Sequence, residues 1–142
     1  MKSVQEAFTL ILIALVCGGA AYFAHPLAPS FGLDELSITL EEAQFETEVF
    51  WIDARTDEDF DRGHLDGAIL LNEEHWEDLL LDFLDRWPPS ATVVVYCSSQ
   101  ACMRSHEVAE RLREELGVEE IFALEGGWET LLEMGLAKEG EK

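Results

Sequence analysis

The chain has 142 residues, enough for one domain with its own hydrophobic core, and a hydrophobic content of 48% excludes an intrinsically disordered protein. Nine Lys and Arg residues stand against 30 Asp and Glu residues, so the net charge is −21. A chain this acidic repels the phosphates of nucleic acid, and we expect no nucleic-acid partner. Its three cysteines, Cys17, Cys97 and Cys102, are too few for a disulfide framework.

Residues 7–24 are an uncharged apolar run that, at about 1.5 Å per residue, reaches about 27 Å as a helix, close to the thickness of a bilayer core. We predict that residues 1–24 form a transmembrane anchor; a cleaved signal peptide is the alternative, because small residues close the run. The apolar run predicts a single-pass membrane protein, and Lys2 predicts that its domain lies on the extracytoplasmic side. Cleavage would instead leave that domain secreted or periplasmic. Residues 25–35, with two prolines, are a predicted linker.

Beyond the linker, helical and strand patterns alternate. Thr39 with Glu42 forms a predicted capping box, Thr56 starts a second short helix, and Pro88 ends the longest apolar helix face. Predicted strands cover residues 49–53, 68–72, 92–96 and 120–124. Strands separated by helices predict an α/β fold in which helices cover both faces of a parallel sheet. Ligands of such sheets bind beyond the carboxyl ends of the strands.

Cys97 directly follows the apolar strand TVVVY, and a predicted helix begins near Arg104 or Ser105. A loop that runs into a helix N-terminus directs backbone N–H groups inward, and the helix dipole adds partial positive charge, so a sulfur there loses its proton more easily. Arg104 adds a permanent charge and a planar donor set suited to an oxyanion. Spacing alone leaves a thiolate nucleophile and a buried, inert cysteine equally open.

Four segments, in order, resemble the rhodanese (sulfurtransferase) family over about residues 36–136. They are ITLEEAQ, FWIDARTDEDFDRGHLDGAILLN, VVVYCSSQACMRSHEVAERLREELG and IFALEGGWETLLEMGL. The resemblance implies an α/β fold around a five-stranded parallel sheet. It also implies that Cys97 takes up sulfane sulfur as a persulfide, an activity that some relatives lack.

The loop after Cys97 departs from the family pattern. Six residues separate Cys97 from Arg104, where common rhodaneses have four and the related dual-specificity phosphatases have five. Loop size sets which oxyanion the backbone N–H groups can surround, so phosphatase or arsenate reductase activity is a less favoured alternative. Arg104 has two equally favoured roles at this point: its side chain either binds the substrate or faces solvent as a helix-start residue. The predicted substrate-binding loop comprises Ser98, Ser99, Gln100, Ala101, Cys102, Met103 and Arg104.

A second thiol gives this loop possible redox chemistry. Cys102 lies five residues after Cys97 and is a possible redox partner that would close an intraloop disulfide. With Met103 and His106, the two cysteines make a soft-ligand set, but its spacing matches no common metal motif. We therefore expect no metal, and we expect no cofactor.

Three polar residues are predicted to support the loop rather than to react. Asp53 and Arg55, directly after a strand, are expected to form an ion pair that braces the active-site loop. His64, beside a turn, is expected to be a hydrogen-bonded structural histidine.

The sequence thus predicts a rhodanese-like domain over residues 36–137 and a charged tail over residues 138–142. The first hypothesis is a sulfurtransferase or sulfur carrier whose partner is a small sulfur-donor anion or a persulfide-bearing protein. The alternative is a catalytically inactive protein-binding module, tethered to the membrane through residues 7–24. The loop length and the acidic charge, which repels anionic thiosulfate, favour that alternative.

Overall fold

The computed structural model describes residues 35–99 and 103–138. The chain divides into two units, residues 1–34 and 35–142, and the fold concerns the second unit. The predicted anchor or signal peptide and all but the last residue of the predicted linker lie outside the described residues. Within the described part of the chain, no helix is long and apolar enough to cross a membrane.

A five-stranded parallel sheet forms the centre of the domain, with the strand order β1-β5-β4-β2-β3. This confirms the expected α/β fold. The strands are β1 Ser37–Ile38, β2 Val49–Asp53, β3 Ile69–Leu70, β4 Thr92–Tyr96 and β5 Ile121–Leu124. The helices are α1 Leu40–Phe45, α2 Asp57–Arg62, α3 Trp76–Arg86, α4 Arg104–Leu116 and α5 Gly127–Glu133, with a 3-10 turn at Glu73–His75.

The central strand β4 has two hydrophobic cores, one on each face, because successive side chains of a strand point to opposite sides. All five of its residues are buried, as expected for a parallel strand covered on both faces. One core combines Val93, Val95 and Cys97 with Phe83 of α3 and Val108, Ala109 and Leu112 of α4. The other combines Val94 and Tyr96 with Leu40 and Ala43 of α1 and Trp128 and Leu131 of α5.

Helix ends follow the local sequence signals. The Thr39 hydroxyl accepts a hydrogen bond from the backbone N–H of Glu42 at 3.2 Å, and the Glu42 carboxylate accepts one from the backbone N–H of Thr39 at 2.9 Å. The Glu42 carboxylate also accepts a hydrogen bond from the Thr39 hydroxyl at 2.7 Å. The backbone N–H of Thr39 first, and then its hydroxyl, lower the pKa of Glu42 by donating to its carboxylate. Gly117 ends α4 in the left-handed conformation at φ 67°, as its position after Leu116 predicts.

The two edge strands differ from their predictions. β3 has two residues instead of the predicted five, and β1 has no counterpart among the strands predicted from local patterns. A two-residue strand is too short to show alternation. β1 exists because its backbone pairs with β5, where Ser37 is the partner of Ala123, and that contact is invisible to local sequence.

Candidate active site

Cys97 lies at the carboxyl end of β4 and is 1% exposed. Its carbonyl oxygen accepts a 2.7 Å hydrogen bond from the backbone N–H of Trp128, in the first turn of α5. Its sulfur accepts a 3.5 Å hydrogen bond from the Ser105 hydroxyl, in the first turn of α4. The backbone and the sulfur of Cys97 are therefore held by two different helix starts.

Gly127 makes this close approach possible. Its backbone has φ +55°, in the left-handed region that favours glycine. A β-carbon at this position would overlap the carbonyl oxygen of Cys97 and would lie 3.1 Å from its carbonyl carbon and 3.4 Å from the Ser99 nitrogen. The second glycine of EGGW is thus the residue that lets α5 dock against the start of the active-site loop.

Cys97 is disulfide-bonded in the structure, and its partner cysteine lies outside the described residues. The sequence had left the oxidation state of this thiol open. A disulfide sulfur carries no proton, so the hydrogen between Ser105 and Cys97 belongs to the serine hydroxyl. The structure therefore describes an oxidised form, in which Cys97 is not a free nucleophile.

Asp53 and Arg55 form a buried ion pair at the end of β2, next to the end of β4. Arg55 Nη2 lies 2.6 Å from Asp53 Oδ2, and Arg55 Nε lies 2.9 Å from Oδ1. Arg55 Nη2 also donates to the Gly63 carbonyl at 2.6 Å. Burial opposes the charge on Arg55, but the hydrogen bonds and attraction of Asp53 outweigh it and raise the pKa of Arg55.

The Arg55 guanidinium connects this ion pair to the loop through aromatic rings. It lies 4.0 Å from the centre of the Trp128 ring and 5.7 Å from that of Tyr96. The Tyr96 hydroxyl accepts a hydrogen bond from the backbone N–H of Leu65 at 3.1 Å. Burial first, and then the Asp53 charge, raises the pKa of Tyr96 far above its ordinary value, so the phenol stays neutral. Asp53 and Arg55 thus reach the Cys97 backbone through Trp128.

The outer part of the predicted loop is open to solvent. Ser98, Met103 and Arg104 are exposed and Ser99 is half-buried, whereas Gln100, Ala101 and Cys102 lie outside the described residues. Arg104 is the first residue of α4, and its side chain makes no hydrogen bond or ion pair with any other residue that the structure describes. Its charge is therefore available to a ligand, although no described contact joins it to Cys97.

The two histidines considered for the site have other neighbours. His64 is exposed; its Nδ1 donates to the Phe60 carbonyl at 2.9 Å, and its ring stacks on that of Phe60 at 3.8 Å. His106 Nε2 lies 3.1 Å from the Ser37 hydroxyl of β1. Across residues 35–99 and 103–138, no group of three or more His, Cys, Asp or Glu residues is arranged to hold a metal ion.

Ser105 is the site residue that sequence reasoning missed. A signal was present, because residues 105, 108, 109 and 112 share one helical face by their spacing. The structure buries all four, so this serine faces the core and the sulfur rather than solvent. A hydroxyl on an otherwise apolar helix face needs a hydrogen-bond partner, and here the partner is Cys97.

The domain is thus a parallel α/β sheet with a buried cysteine between its central strand and the following helix. Residues 36–133 match the family described as "Rhodanese-like domain", and the chain belongs to that family. No curated protein sequence matches the chain.

Three solved structures are similar to the domain. The BH2092 protein of Bacillus halodurans is 20% identical, with a TM-score of 0.54, over 66% of this chain and 65% of that chain. The match therefore spans just under two thirds of the length of that protein, and at this identity it shows the fold alone. A rhodanese-like domain protein of Staphylococcus aureus is 27% identical over 66% of this chain and 87% of that one, with a TM-score of 0.46. SSP1007 of Staphylococcus saprophyticus is 25% identical over 66% and 90%, also with a TM-score of 0.46.

Proposed function

We propose that the reduced domain takes up sulfane sulfur as a persulfide on Cys97 and delivers it to an acceptor. The observation that carries this proposal is the position of Cys97, between the buried central strand and the thirteen-residue helix α4. The N-terminus of such a helix favours negative charge, which stabilises both a thiolate and a persulfide anion. Membership of the rhodanese-like family supports the same chemistry.

The reaction begins when the Cys97 thiolate attacks the sulfane sulfur of a donor such as thiosulfate. A sulfur–sulfur bond forms on Cys97 as the bond inside the donor breaks, and sulfite leaves with the electron pair. An acceptor thiolate then attacks the outer sulfur, and Cys97 leaves as a thiolate. The available charge of Arg104 and the backbone N–H groups of the loop are proposed to hold the oxyanion of the donor.

The disulfide at Cys97 has to be reduced before either step. Cys102, five residues away in sequence, is the partner we propose. Thiol–disulfide exchange with a dithiol reductant would return both sulfurs to thiols and leave the reductant oxidised. Sulfur uptake by this protein would then depend on the redox state of its surroundings.

We propose an extracytoplasmic location, with the domain attached to a membrane through residues 7–24. Disulfides form and persist mainly in oxidising compartments outside the cytoplasm, so the disulfide at Cys97 supports this location. Extraction of cell membranes with alkaline carbonate, combined with protease treatment of intact cells, tests it. A domain that is released by carbonate, or that is protected from protease until the cells are lysed, would refute the proposal.

Intact mass spectrometry tests the persulfide directly. The full chain is reduced with a dithiol, freed of reductant and incubated with thiosulfate or a low-molecular-weight persulfide. Wild type is expected to gain the mass of one sulfur atom, and Cys97→Ser is expected to gain none. If wild type gains no sulfur from any donor, the proposed function is wrong.

A second candidate is a non-enzymatic binding module for a basic protein. The buried, disulfide-bonded Cys97 and the net charge of −21 favour it. If the domain is a binding module, wild type and Cys97→Ser should retain the partner protein equally well. Loss of binding in the serine variant would instead tie the interaction to the sulfur.

A further inference from the structure

The Ser105 hydroxyl makes an unusual pairing for a buried serine. Ser105 is 3% exposed and is the second residue of α4. Its Oγ donates to Cys97 Sγ at 3.5 Å, a length suited to the large sulfur atom. Among the residues that the structure describes, this sulfur is the one hydrogen-bond partner of the hydroxyl.

The buried residues on the same face of α4 show that packing alone does not explain a serine at position 105. The other buried residues of α4 are the apolar Val108, Ala109 and Leu112. An alanine at position 105 would fill nearly the same volume without a polar group to satisfy. A buried hydroxyl costs free energy unless it is hydrogen-bonded, so its presence points to a role at the sulfur.

The strength of this hydrogen bond depends on the oxidation and ionisation state of the Cys97 sulfur. A disulfide sulfur is a weak acceptor, whereas a thiolate is an anion and accepts charge-assisted hydrogen bonds that are about twice as strong as neutral ones. The same hydroxyl therefore stabilises the reduced, ionised sulfur more than the oxidised one.

We propose that Ser105 is a positioning residue that holds the sulfur of Cys97 and stabilises its thiolate after reduction. The proposal rests on the proposed function, in which that thiolate attacks the donor and is released again by the acceptor. Ser105 donates to the sulfur at both moments, because the Cys97 thiolate is the nucleophile of the first step and the leaving group of the second.

Alkylation of Cys97 tests this role without any sulfur donor. The full chain carrying Cys102→Ser is the reference, so that a single thiol remains in the tryptic peptide 87–104. Ser105→Ala and Ser105→Thr are added to this reference separately. After reduction, the rate at which iodoacetamide modifies Cys97 is followed at neutral pH by mass spectrometry of that peptide.

We expect Ser105→Ala to alkylate about threefold more slowly than the reference. Losing a charge-assisted hydrogen bond lowers the thiolate fraction about tenfold, and the higher intrinsic nucleophilicity of the remaining thiolate offsets part of that loss. Ser105→Thr keeps the hydroxyl and is expected to stay within about twofold of the reference. Val108→Ala removes buried atoms from the same helix face without touching the hydroxyl, and its rate is expected not to fall.

Three results would overturn the proposal: an unchanged rate in Ser105→Ala, an equal loss in a folded Ser105→Thr, or an equal loss in Val108→Ala. If circular dichroism shows that the threonine variant is unfolded, the test rests on the alkylation rates of Ser105→Ala and Val108→Ala. A slower rate in Ser105→Ala alone supports the proposal. The outcome is separate from that of the sulfur-uptake experiment. A chain that takes up no sulfur, but whose Cys97 alkylates more slowly without the Ser105 hydroxyl, refutes the proposed function and leaves the role of Ser105 standing.

Discussion

The backbone N–H of Trp128 donates a 2.7 Å hydrogen bond to the carbonyl oxygen of Cys97. This bond joins the start of α5 to the residue that ends the central strand. Its geometry depends on Gly127, whose missing side chain leaves room for the Cys97 carbonyl. The loop that carries the candidate nucleophile is therefore held by a contact between two segments far apart in sequence.

Substitution of Gly127 by alanine tests that contact. The left-handed backbone costs alanine about 1–2 kcal/mol, and the overlap with Cys97 adds about 1–3 kcal/mol. We expect a lower midpoint of urea unfolding and loss of sulfur uptake. Gly135→Ala is the matched control, because Gly135 has φ +70° but an added β-carbon there would meet no atom within 4 Å. Equal destabilisation by the two substitutions would show that the Cys97 contact has no energetic importance.

Removal of Arg55 should destabilise the whole domain. Arg55→Met leaves the fully buried Asp53 carboxylate without its partner, which costs about 3–5 kcal/mol in comparable buried pairs. Asp53→Asn combined with Arg55→Met should recover part of that loss, because no charge is left buried. Arg62→Met is the control: its ion pair with Asp59 is largely exposed, and about 0–1 kcal/mol is expected. Chemical denaturation under reducing conditions gives the free energy of unfolding of wild type and the three variants. If Arg55→Met loses as little stability as Arg62→Met, the ion pair does not have this role.

Sulfur uptake should require prior reduction of the chain. Without a dithiol, wild type is expected to remain unmodified by thiosulfate, because the disulfide-bonded Cys97 has no thiolate. Cys102→Ser cannot form the proposed intraloop disulfide and is expected to take up sulfur without reductant. Cys17→Ser serves as the control and should behave as wild type. Intact masses before and after incubation report the result, and sulfur uptake by untreated wild type would contradict the prediction.

The reaction with thiosulfate should become faster as salt is added. The chain carries a net charge of −21, which repels a dianion at long range, and about 0.1 M salt screens charges beyond about 10 Å. A persulfide donor with a smaller negative charge than thiosulfate should show a weaker salt dependence and is the control. Initial rates at several ionic strengths provide the measurement. A rate that falls with salt would mean that local positive charge dominates the approach of the donor.

Arg104 is expected to matter for anionic donors and not for stability. The side chain is exposed and makes no described ion pair, so Arg104→Met should leave the unfolding midpoint unchanged. Loss of one charge-assisted contact to the donor oxyanion should lower the second-order rate with thiosulfate about tenfold or more. Arg86→Met, which removes another exposed arginine, is the control. Equal rates for the two variants would place Arg104 outside the reaction.

The alternation of helices and strands was predictable because each element has a local sequence signal. The β-branched run TVVVY predicted β4, the Thr39–Glu42 pair predicted the start of α1, and Gly117 predicted the end of α4. Each of these signals lies within a few residues of the structure it specifies. The same local reading placed Cys97 at the end of a strand and a helix start near Arg104.

The contacts that build the site depended on the tertiary structure. Sheet register brings the end of β2 beside the end of β4, so that Arg55 can reach Trp128 and Trp128 can reach Cys97. Likewise, Ser105 meets the sulfur only because α4 packs its buried face on β4. By itself the sequence determined which elements form and where the reactive sulfur lies along the chain. Only the folded chain decided what surrounds that sulfur, because long-range packing, unlike helix and strand periodicity, leaves no mark on neighbouring residues.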